Sequence, residues 1–115
     1  MKHRPRPTIY AARLVSGAQP FYPGEYRFED AAGRETQHPG KLARLVFICP
    51  VSGRAHVVAP IGRRQPWRRP SWTVSGPVGE PTVYPAIAVP GGWQGYFREG
   101  RFVSEAPQAG RGGDD

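Results

Sequence analysis

The apolar positions of this chain fall into short runs with a period of two, cut by proline and glycine, and this predicts strands rather than helices. Glu25–Glu29 (EYRFE) alternates and sets Tyr26 and Phe28 on one face of a short strand. Leu42–Cys49 (LARLVFIC) and Ala55–Ala59 (AHVVA) are β-branched and aromatic runs. With Pro50, Val51, Ser52 and Gly53 between them, they form the sequence pattern of a hairpin. A second hairpin is expected where Gly95–Arg98 (GYFR) and Arg101–Ser104 (RFVS) flank Glu99 and Gly100, with Gly100 supplying the positive φ of a two-residue turn. Ser71–Ser75 (SWTVS) alternates, and Thr82–Val89 (TVYPAIAV) is extended but interrupted by Pro85, which suits an edge strand or a bulge. Thr8–Ser16 (TIYAARLVS) fits a short helix or a short strand about equally, and no later window carries a helical period. The expected fold is mainly β: a small single-domain antiparallel sheet or sandwich with two hairpins and little or no helix.

Composition bounds this picture without changing it. Gly and Pro together make 29 of 115 residues, but five Phe, five Tyr and three Trp supply the bulk for one modest core. The expected organisation is a basic flexible arm over residues 1–7, a single β domain over 8–106 and a disordered tail over 107–115. The lone cysteine, Cys49, excludes an intramolecular disulfide and a four-thiolate zinc site. No apolar run approaches bilayer length, so the chain reads as soluble and cytoplasmic, with no membrane partner.

Charge adds one local feature. The net charge is +7, with 13 basic and 4 acidic residues up to Trp72 against 3 basic and 5 acidic from Thr73 onward. Within the basic part, Arg63, Arg64, Trp67, Arg68 and Arg69, followed by Trp72, interleave guanidinium and indole groups with no acid between them. Three readings fit this segment. It is a solvated connection, a protein interface anchored by Trp beside Arg, or a nucleic-acid contact in which Trp67 stacks and the arginines hold phosphates.

Candidate chemistry is sparse. Cys49 and His56 lie seven apart across the first expected hairpin, and thiolate and imidazole are ordinary zinc ligands, but a structural site takes four. The same pair resembles a thiolate and imidazolium couple, yet the sequence shows no orienting third group and no Gly-rich oxyanion loop. His3 and His38 fall in segments that read as mobile, and Glu25, Glu29, Asp30 and Glu35 are spaced like ordinary surface acids. No phosphate loop or dinucleotide fingerprint occurs. Neither catalysis nor a cofactor is expected, and Cys49 and His56 stand only as remnant metal candidates.

Three stretches, Phe47–His56 (FICPVSGRAH), Trp72–Ile87 (WTVSGPVGEPTVYPAI) and Gly95–Phe102 (GYFREGRF), resemble a family of small, functionally uncharacterised bacterial and phage zinc-binding proteins, often mistitled ammonia monooxygenase. The likeness covers about half of the chain, and Glu80, Pro81, Thr82, Pro85 and Ile87 carry its most specific part. The family shows a CP-x-CG-x-x-H knuckle and a late Cys-His pair. This chain has Ser52 at the second knuckle cysteine and Trp93, Gln94 and Gly95 around the late pair, so the resemblance implies a degenerate metal site. It also implies a phage or mobile-element origin. The function expected on these grounds is a non-enzymatic module that binds another protein, such as a host or defence component, with nucleic-acid binding through the Arg and Trp segment or zinc binding as alternatives.

Overall fold

The short apolar runs become strands, because each is too brief for a stable helix and rich in residues that suit a pleated surface. The structure, a computed structural model, describes residues 8–40, 42–53, 56–62 and 71–104. Among the described residues there are nine strands and no helix: β1 (Ile9–Ala11), β2 (Arg13–Leu14), β3 (Glu25–Glu29), β4 (Arg44–Ile48), β5 (His56–Pro60), β6 (Thr73–Ser75), β7 (Thr82–Ala88), β8 (Gln94–Arg98) and β9 (Arg101–Ser104). They form a five-stranded sheet in the order β1-β9-β8-β7-β6 and a four-stranded sheet in the order β2-β3-β4-β5. The basic arm over 1–7, the expected tail over 107–115 and the segment 63–70 lie outside the described residues.

Both expected hairpins form. β4 pairs antiparallel with β5, Phe47 opposite Val57. β8 pairs with β9 around Glu99 and Gly100, whose φ values of 49° and 74° make a turn with both central residues left-handed. Of the two readings for Pro85, the bulge holds and the edge does not: β7 lies between β8 and β6, and its register shifts between Val83 and Ile87. Proline has no N–H for the ladder, so the shift falls where pairing is already interrupted. Thr8–Ser16 is extended and divided between the sheets. β1 pairs with β9, then the chain passes Ala12 and β2 joins β3 in a two-residue parallel contact, while the other paired strands among the described residues run antiparallel.

One core lies between the sheets. Tyr26 and Phe28 of β3 meet it together with Leu45, Phe47 and Cys49 from one layer and Val83, Ile87, Trp93, Phe97 and Phe102 from the other. Rings lock the layers edge to face: Tyr26 meets Phe97 at 4.9 Å and Phe47 meets Trp93 at 5.8 Å between centroids. Each such pair adds about 0.5–1.5 kcal/mol beyond burial.

The other face of β3 departs from expectation, for Glu25, Arg27 and Glu29 are buried as well. Arg27 bonds Glu29 at 2.9 Å, donates to the Ala18 carbonyl of the β2–β3 loop at 3.2 Å, and Glu29 also meets Arg44 at 3.3 Å. Glu29 is thus a buried ion-pair centre rather than an ordinary surface acid.

Candidate functional site

Of the two remnant metal candidates, Cys49 is the one whose side chain lies within the described residues. It follows β4 and is buried at 1% exposure. A tight turn, Cys49–Gly53, closes through Gly53 N–H to the Cys49 carbonyl at 2.9 Å, with Gly53 left-handed at φ 67°. The fold of this turn points backbone N–H groups back at the sulfur. Ser52 N–H donates to Sγ at 3.4 Å and Trp93 N–H, from just before β8, donates at 3.3 Å. Burial pushes the thiol pKa up, but the Ser52 hydroxyl and the N–H groups of Ser52, Trp93 and Val51 together outweigh it and hold the thiol below its ordinary value.

A second turn stands against the first. Gly92 N–H donates to the Val89 carbonyl at 2.9 Å and Val89 N–H to the Trp93 carbonyl at 2.8 Å. A Cβ placed on Gly92 lies 2.8 Å from Cys49 Sγ, 3.3 Å from Val89 Cγ1 and 3.4 Å from Ser52 Oγ. Positions 49, 52, 89 and 92 therefore converge on one point, two from each turn. The turns lie too close there to admit a side chain at 92 without a shift, and of the four residues only Cys49 carries a strong metal ligand. Of Trp93, Gln94 and Gly95, which the resemblance places around the late pair, Trp93 reaches Cys49 through its main-chain N–H, and Gly92 lies directly against the sulfur. The repeated Cys/Val-Pro-x-Ser/Gly pattern, CPVS against VPGG, was the signal available for Val89 and Gly92.

His56 opens β5 opposite Ile48, so its strand position has the opposite parity to Phe47 and Cys49. Among the described residues no group of three or more His, Cys, Asp or Glu side chains is placed to hold a metal ion. His38 lines an open cleft of about 610 Å³ between residues 37–39 and 74–78 and is the one titratable side chain among the described residues of its lining.

Arg63, Arg64, Trp67, Arg68 and Arg69 lie outside the described residues. The ends of that segment are joined: Gly62 N–H donates to the Trp72 carbonyl at 2.9 Å and the Ser71 hydroxyl to the Gly62 carbonyl at 3.2 Å. Trp72, grouped with them on sequence, is half-buried against the core and donates its indole N–H to the Ala86 carbonyl at 3.2 Å. This bond fastens the start of β6 to β7.

The surface missed by sequence reasoning lies beside the Cys49 turn. Phe21 and Tyr22 are 74% and 63% exposed and pack edge to face at 5.0 Å. Their loop is fixed by its backbone: both N–H groups donate to Glu25 Oε1, at 2.9 and 3.0 Å, and Gly24 N–H donates to the Ile48 carbonyl at 3.0 Å. Pro23 reaches the Cys49–Gly53 turn at Gly53, and that turn carries the half-exposed Val51.

No protein-family model matches the chain, and neither does any curated protein or solved structure. No described helix is long and apolar enough to cross a membrane.

Proposed function

We propose that this protein is a non-enzymatic, cytoplasmic binding module that engages another protein. The observation that carries the reading is the Phe21–Tyr22 pair. Two large rings are held in water by a loop whose main chain is satisfied by Glu25 and Ile48, so their exposure is built into the fold. Ordered exposed aromatics next to an apolar turn are the usual make-up of an interface anchor, since little conformational freedom is lost on docking. The Arg63–Arg69 segment, whose base at Gly62 and Ser71 lies at the other end of β5, is a second contact candidate on sequence grounds. The resemblance to the small bacterial and phage family supports a host or defence protein as the class of partner, and supports a metal site reduced to packing.

The test is affinity purification from the native host with the wild-type chain, a Phe21→Ser/Tyr22→Ser variant, and a variant with Arg63, Arg64, Trp67, Arg68 and Arg69 changed to Ala. A stoichiometric protein partner held by the wild type and released by Phe21→Ser/Tyr22→Ser is the expected result. A partner set indifferent to both variants would sink the proposal.

A further inference from the structure

The outer face of the five-stranded sheet is a surface separate from the Phe21–Tyr22 loop. Side chains alternate along a strand, and Phe97 and Phe102 point into the core, so Tyr96, Arg98, Arg101 and Val103 point out. Register sorts them into two rows. Arg98 lies directly opposite Arg101, while Tyr96 lies opposite Val103, which in turn lies opposite Ile9 of β1. Tyr84, 65% exposed, extends the second row on β7, where it follows the inward Val83 that pairs with Phe97. The Arg98 guanidinium sits 5.1 Å from the centre of the Tyr96 ring.

Two features point to a ligand. Like charges directly opposite across a sheet are unfavourable, yet both arginines are exposed. The ion pairs among the described residues involve Arg13, Arg27, Arg34 and Arg44 instead. Glu99, in the turn between the two, reaches neither guanidinium as an ion pair. Beside this charge, without an ion-pair partner among the described residues, lie the exposed Tyr84 ring and the half-buried Tyr96 ring, in a chain whose net charge is +7. A polyanion with flat, apolar faces satisfies both rows. Duplexes hide those faces in the base stack, whereas single strands present them.

We propose that this face binds single-stranded nucleic acid, with Tyr84 and Tyr96 stacking bases and Arg98 and Arg101 holding the adjoining phosphates. Strands lie about 4.8 Å apart, so the row from Tyr84 to Ile9 spans roughly 14 Å, and aromatic sheet platforms of this kind stack two or three bases. The proposal is independent of the Phe21–Tyr22 surface.

The test titrates the full chain into fluorescent oligothymidylate, oligouridylate and a duplex of equal length, with inorganic polyphosphate as competitor. Tyr84→Ser is expected to weaken single-strand binding roughly 5- to 150-fold at an unchanged salt slope. Arg98→Ala/Arg101→Ala is expected to lower the slope of log affinity on log salt by about 1.4. Both effects should persist when Arg63, Arg64, Arg68 and Arg69 are changed to Ala. Amide shifts of the wild-type protein, which need no variant to fold, should move at Tyr96, Arg98, Arg101 and Val103. Equal binding of duplex or polyphosphate with no Tyr84 effect would overturn the proposal. So would shifts confined elsewhere, or a protein partner lost with Tyr84→Ser while no oligonucleotide binds.

Discussion

The main-chain N–H of Trp93 donates to Cys49 Sγ at 3.3 Å and thereby ties the turn before β8 to the turn after β4, one from each sheet. A side chain buried to 1% serves here as a hydrogen-bond hub between two layers. Cys49→Ala removes the acceptor and leaves a small void, and is expected to cost about 1–3 kcal/mol in urea unfolding. The native thiol, although its N–H donors favour the thiolate, should react with a disulfide reagent only at the rate of local opening.

Gly92 tests the packing of the two turns. A Cβ there meets the buried Cys49 Sγ at 2.8 Å, inside van der Waals contact. Gly92→Ala is expected to destabilise by roughly 1–3 kcal/mol in urea unfolding, and Cys49→Ala/Gly92→Ala to cost less than the sum of the two single changes. An unchanged urea midpoint for Gly92→Ala would show that the turns are not in contact.

The buried Arg27–Glu29 pair should behave as a unit. Glu29→Ala strands a guanidinium that is 9% exposed, at an expected cost of about 3–5 kcal/mol. Arg27→Met/Glu29→Leu should recover most of that loss in the same denaturation experiment, because the buried guanidinium is gone and Arg44, which also loses Glu29, is 39% exposed and stays hydrated.

Acid should loosen the loops before the core. Glu25 is held below its ordinary 4.5 by the N–H groups of Tyr22 and Phe21, Asp30 below 3.8 chiefly by Arg34 N–H, and Glu35 below 4.5 chiefly by Gly17 N–H. Lowered folded pKa values give stability that is complete above about pH 4.5 and is lost as pH falls through the folded values. The protection factors of the Phe21 and Tyr22 amides should therefore fall as pH drops below about 4.5, and Glu25→Ala should show low protection already at pH 6.

Gly95 tests the pairing of β8 with β9. A Cβ there runs into the Val103 carbonyl oxygen and the Ser104 Cα, both main chain. Gly95→Ala is expected to destabilise by roughly 3 kcal/mol or more, measured as a fall in the urea midpoint, because a ladder cannot yield as a side chain does.

Sequence by itself determined what short-range physics controls. The alternation in Glu25–Glu29 turned Tyr26 and Phe28 inward, the apolar runs around Pro50–Gly53 formed a hairpin, and Glu99–Gly100 made a tight turn, since pleat and turn conformation depend on a few neighbouring residues. Only the tertiary structure decided which strands share a sheet, and with it everything at the candidate sites. The split of Thr8–Ser16 at Ala12, the meeting of Cys49 with Gly92 across 43 positions of chain, and the covering of Arg27 by the Ala18 loop all depend on closing two sheets over one core. The same closure sent Phe97 and Phe102 inward and so left Arg98 and Arg101 facing water. Which of two alternating faces is buried is a property of the partner layer, and no local period contains it.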